Sequence, residues 1–171
     1  MNAREIRLRL APIEGLHLAG LVQQLAEIIA AADDSPDPGV ARLTPSPYPE
    51  DAEAAAEFVT ATRDDLLDRR TADAAVVGRA LDVFACDDTS VSEDDDTADH
   101  IDVVIPPGEL DAWLRTLTAL RLVIATRLDI TDDDENRDPD DPRFGVYDWL
   151  AFRLDGLIAI ADGLDDMPED A

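Results

Sequence analysis

The stretch from Pro107 to Leu128 constrains the fold most. Leu110, Trp113, Leu114, Leu117, Leu120, Ile124 and Leu128 recur at the three- and four-residue intervals of one helix face. Pro107 in the first turn and Glu109 beside it supply a helix start. One apolar stripe cannot bury itself, so the rest of the chain must provide partners. Leu18, Leu21, Val22, Leu25, Ile28, Ile29 and Ala32 predict a helix over 13–32, ended by Asp33-Asp34-Ser35-Pro36. A third helix is expected over 50–70, opened by Glu50, Asp51 and Glu53, where carboxylates complement the helix dipole. It should bury Ala52, Ala56, Val59, Leu66 and Leu67, with Phe58 beside them. Residues 72–85, with Val76, Val77, Ala80, Leu81 and Phe84, either extend that helix or follow a break at Arg70-Thr71. The last helix, 146–165, aligns Leu150, Leu154, Leu157, Ala161 and Leu164, flanked by Trp149 and Ile158.

Two short segments follow a different period. Ile6, Leu8 and Leu10 alternate with charged residues, as in a half-buried strand. Ile101, Val103, Val104 and Ile105, stopped by Pro106-Pro107, read as a second strand that could pair with the first. The proline-rich segment 35–49 reads as an extended connection with room for a helical turn at 39–43. The expected class is therefore mainly α (α+β): a bundle of four to five helices with a small sheet of two short strands. No repeat or linker divides the 171 residues, which suits one domain. Acidic flexible loops are expected near 87–100 and 129–145.

The formal net charge is −26, so phosphate backbones and anionic lipid surfaces are repelled, and no basic run offsets this. Neither direct nucleic-acid binding nor membrane association is expected. All fourteen basic residues are arginines. No apolar run reaches the ~18 residues of a membrane helix, and the N-terminus has no apolar leader, so cytoplasm is the expected compartment.

Catalytic and metal-binding patterns are thin. Cys86 is the only cysteine, which excludes an intramolecular disulfide and a thiolate cage. It follows Phe84-Ala85 and precedes Asp87-Asp88, surroundings that favour an inert, buried thiol. His17 and His100 show no ligand spacing. Sixteen of the forty carboxylates crowd into 87–102 and 129–142, dense enough to consider calcium. A calcium loop begun at Asp132 would align Asp134, Asn136, Asp138 and Asp140. It would then place Arg137 where the turn needs glycine and Arg143 where a bidentate glutamate belongs. Solvated loops with weak cation condensation fit better, and no cofactor is expected. Phosphate loops, serine elbows and zinc signatures are missing, which argues against an enzyme.

Arginines on the helices offer more. Arg115, Arg121 and Arg127 share the penultimate helix and Arg153 lies on the last. An ion pair between Arg121 or Arg127 and a helix-borne acid such as Glu57 or Asp148 is the structural role for them. Anchoring a protein partner is the other, since arginine and aromatic side chains dominate interface hot spots. On that second reading the partner-binding set is Arg115, Arg121, Arg127 and Trp149.

Three segments together carry a resemblance covering more than half of the chain. They are Tyr48-Pro49-Glu50-Asp51-Ala52-Glu53-Ala54-Ala55-Ala56-Glu57-Phe58, the run from Trp113 to Leu128, and Tyr147-Asp148-Trp149-Leu150. In order and spacing they resemble an actinobacterial family of unknown function, also called the actinobacterial oxidative stress regulator family. The resemblance implies a cytoplasmic regulator acting with the transcription machinery, through a partner such as a sigma factor. That family's redox mechanism relies on two closely spaced N-terminal cysteines, which this chain lacks. The combined expectation is a non-enzymatic interaction protein that works through protein–protein contacts. The alternative is an acidic helical domain that binds a divalent cation or a small molecule. Homo-oligomerisation is left open.

Overall fold

A computed structural model describes residues 6–33, 37–48, 50–85, 100–130 and 141–165. The elements in order are β1 (Ile6–Leu10), α1 (Pro12–Ala30), α2 (Pro38–Leu43), α3 (Ala52–Ala85), β2 (Ile101–Ile105), α4 (Leu110–Arg127) and α5 (Gly145–Asp165). Single 3-10 turns, Pro107–Glu109 and Pro142–Phe144, lead into α4 and α5. Among the described residues the five helices and one two-stranded sheet are the architecture that the two hydrophobic periods predict.

β1 and β2 pair antiparallel with Leu8 opposite Val103 and Ile6 opposite Ile105. Ile6, Leu8 and Leu10 point into the core while Arg7 and Arg9 face out, as strict alternation requires. α4 is the central element and packs against α1, α2, α3 and α5. Its burial is wider than the single predicted stripe. Ala112, Thr116, Ala119 and Val123 are buried along with Leu110, Trp113, Leu117 and Leu120, whereas Ile124 and Leu128 are half-buried. A helix enclosed on several sides uses small residues where neighbours approach closely, and those positions carry no hydrophobic signal of their own.

Glycines set two of these approaches. A side chain at Gly15 would collide with the Phe84 ring, so α1 and α3 close to ring-on-backbone distance there. A side chain at Gly39 would press on Val123, which seats α2 on α4. Asp37 starts α2 by accepting the amide protons of Gly39 and Val40 at 2.7 and 3.2 Å.

α3 runs unbroken for 34 residues. The break considered at Arg70-Thr71 does not occur; the Thr71 hydroxyl donates back to the Leu67 carbonyl within an intact helix. Its predicted burial needs correction in the first half. Ala52 and Ala56 are exposed, Val59 and Leu66 half-buried, and only Leu67 of that set is buried. The remaining buried positions, Ala74, Val77, Leu81 and Phe84, all lie in the second half. At ~1.5 Å per residue α3 outruns the 19-residue α1 it packs on, so its first half has fewer neighbours to bury it. Residues 142–145, read as part of the second acidic loop, already form the 3-10 turn and the start of α5. Residues 131–140 of that loop, 87–99 of the first loop, Cys86 and most of the calcium-loop alignment lie outside the described residues.

Candidate functional site

Pro12 at the first helical position, followed by Glu14, makes a strong start for α1. One Glu14 carboxylate oxygen accepts the Ala11 amide proton at 2.9 Å, satisfying a group every helix start leaves open. The other oxygen accepts the Trp149 indole proton at 2.7 Å. Arg153 donates to both oxygens at 2.9 and 2.8 Å and also to the Arg9 carbonyl at 3.2 Å. Trp149 and Arg153 stand one turn apart on α5, so both reach the same carboxylate. The guanidinium also lies 5.3 Å from the Trp149 ring centroid and 5.6 Å from that of Phe152.

Glu14 and Arg153 side chains are only 26% and 17% exposed, which separates this pair from the surface ion pairs elsewhere. Burial alone would raise the Glu14 pKa. Donation from Ala11, Trp149 and Arg153, with the Arg153 charge, outweighs burial and holds it below the ordinary glutamate value. The node is thus an ionised carboxylate that fixes an indole and a guanidinium between the start of α1 and α5.

Beyond this node the two helices do not close on each other. A groove of about 480 Å³ runs between them. From α1 it is lined by Leu16, His17, Gly20, Leu21 and Gln24, and from α5 by Gly145, Val146 and Trp149. Space is open where a side chain would stand at Gly20 and at Gly145. Ile13 and Phe152 extend the same helix faces, and Phe152 is 69% exposed. Scattered exposed apolar side chains are ordinary; a contiguous apolar cleft of ligand-binding size is not.

Of the four residues nominated from sequence, Trp149 alone lines this groove. The three α4 arginines leave on different sides of their helix. Arg115 pairs with Asp73 of α3 at 3.0 Å, and Arg127 with Asp37 at the start of α2 at 3.4 Å. The Arg121 guanidinium lies 4.7 Å from the Tyr147 ring centroid. Burial would raise the Asp37 pKa, but the Gly39 and Val40 amides, with Arg127, hold it below the usual aspartate value.

Glu14, Arg153, His17 and Gly20 are the positions that sequence reading did not gather into a site. A partial signal existed in the one-turn spacing of Trp149 and Arg153. Glu14, 135 residues from Trp149 along the chain, carried no signal beyond helix initiation. His17 is exposed on the groove wall, and His100 is exposed just before β2. Among the described residues no group of three or more histidines, cysteines and carboxylates is placed to hold a metal ion. No described helix is long and apolar enough to cross a membrane.

No curated protein and no solved structure matches the chain. A family model described as Domain of unknown function (DUF2017) matches residues 1–161, which include the whole α1–α5 groove and its Glu14–Trp149–Arg153 node. The chain belongs to that family.

Proposed function

We propose that this protein is a non-enzymatic regulator that binds a protein partner through the α1–α5 groove. The observation that carries this reading is an open apolar cleft whose tryptophan is held in place by an ion pair. Preorganised aromatic side chains bind at little entropic cost, and such residues recur at interface hot spots. The proposed occupant is a helix with an apolar face and a basic back. A helical shape fits because the groove follows α1 from Ile13 to Gln24, a length of ~16 Å at helical rise. A basic character fits because a net charge of −26 attracts cations and repels acidic segments. Resemblance to oxidative stress regulators directs the search to the transcription machinery, sigma factors first, with duplex DNA as the counter-case.

The test uses the immobilised full chain against purified sigma factors, RNA polymerase and duplex DNA over a salt series. Expected is a sigma factor or polymerase subunit retained at low salt, released as salt rises, and weakened about tenfold or more by Gly20→Leu, which fills the groove. No retention at low ionic strength would sink the proposal. Retention indifferent to Gly20→Leu would sink the groove's part in it. Tight binding of duplex DNA would replace it with a different mechanism.

A further inference from the structure

The two-stranded sheet has a property independent of the groove. Among the described residues each strand is paired on one side only, so the outer edges of β1 and β2 carry backbone donors and acceptors without strand partners. Charge distinguishes the two edges. An antiparallel self-pairing of β1 centred on Leu8 would set Arg7 opposite Arg9 of the second copy, twice per pair. Like charges directly opposed destabilise a sheet. The same operation on β2, centred on Val103, opposes Ile101 to Ile105 and Val103 to Val103 on the core side. On the outer side it opposes Asp102 to Val104.

We infer that β2 pairs with a second copy of itself, joining two molecules through a four-stranded antiparallel sheet. The register within each molecule sets Leu8 beside Val103 and Arg9 beside Asp102. Extended across the two-fold axis, one inner row becomes Leu8, Val103, then Val103 and Leu8 of the second copy, apolar throughout. The outer row becomes Arg9, Asp102, then Val104 and Arg7 of the second copy. Val104, 49% exposed in the single molecule, is covered there without meeting a like charge. Ile101–Ile105 contains neither lysine nor proline, and its one charged residue, Asp102, meets Val104 and not a like charge in this pairing. Five residues per strand make a small interface, so the association is weak and concentration-dependent. Each copy carries −26, and their mutual repulsion is screened by salt. Salt therefore strengthens this pairing, whereas it weakens the binding of a basic partner.

Sedimentation equilibrium of the full chain over about a hundredfold concentration range, at low and physiological salt, reads this directly. Val104→Asp faces Asp102 of the second copy twice per dimer, while Arg7 neutralises it within its own chain. Association is expected to fall about tenfold with the fold retained by circular dichroism. Val104→Arg faces the same two aspartates and should tighten association severalfold. A chain that stays monomeric at every concentration and salt would overturn the inference. So would association that weakens with salt, or that the two substitutions leave unchanged or move in the same direction. Should Val104→Arg misfold because it opposes Arg7, Val104→Asp and the salt series still decide.

Discussion

α1 presents two seams to the molecule, and they are built differently. Toward α3 it buries Leu18, Val22, Leu25 and Ile29 and brings Gly15 under the Phe84 ring. Toward α5 it offers Gly20, His17 and Gln24, and the helices are linked at one end by the Glu14–Arg153–Trp149 node. Two glycines five residues apart on one helix thus do opposite things. Gly15 is a close approach already filled; Gly20 faces a space that nothing in the described chain fills. Close packing arises where a facing side chain replaces the missing Cβ. Where a polar node sets the separation instead, a groove is left. The stable seam and the candidate site are therefore properties of opposite faces of the same helix.

The sharpest challenge to this contrast is to make one substitution at both glycines. Gly15→Ala drives a Cβ into a buried ring, and the overpacking should exceed the gain in helix propensity, lowering unfolding stability by about 2 kcal/mol. Denaturant titration checks it, and an unchanged midpoint would mean the α1–α3 seam is looser than described. Next in size is the node. Arg153→Ala removes the charged partner of a largely buried carboxylate and should cost about 1.5 kcal/mol. Because the folded-state pKa of Glu14 is depressed, its stabilisation is complete above the ordinary glutamate range. It is lost as pH falls through the folded-state value. The stability gap between wild type and Glu14→Gln should accordingly close on acidification; a gap that widens would contradict an ionised node. The smallest effect is Gly20→Ala, which meets no atoms and should stabilise the chain by about 0.5–1 kcal/mol. A loss of stability there would show the groove to be filled.

Much of the architecture was legible because two hydrophobic periods separate cleanly. Ile6-Arg7-Leu8-Arg9-Leu10 alternates, while Leu18 to Ile29 and Leu150 to Leu157 step by three and four, and the structure follows both. What periodicity leaves open is whether a neighbour reaches the face it marks. Ala52 and Ala56 lie on an apolar face of α3 and remain exposed, since the burying partners are spent on Ala74 to Phe84. The reverse error occurs at Thr116 and Ala112, buried because α4 is surrounded. Candidate site residues were harder still. Trp149 stood out as an aromatic residue, but its role depends on Glu14 across 135 residues of chain, and that contact comes only from tertiary packing. The α4 arginines drew attention by being the cations of an acidic protein, yet Arg115 and Arg127 are each matched with an aspartate of another element.

The antiparallel pairing of β1 with β2 fastens the first segment of the chain to its middle. Everything N-terminal to residue 86 supplies β1, α1, α2 and α3; everything from residue 100 supplies β2, α4 and α5. Contacts join these two sets where α4 meets α1, α2 and α3 and where β1 meets β2, while α1 packs on α3 within the first set and α4 on α5 within the second. Each portion has a packed pair of its own, and α4 joins the two into one buried cluster. Each portion also holds one side of a single interior, as two hands clasp.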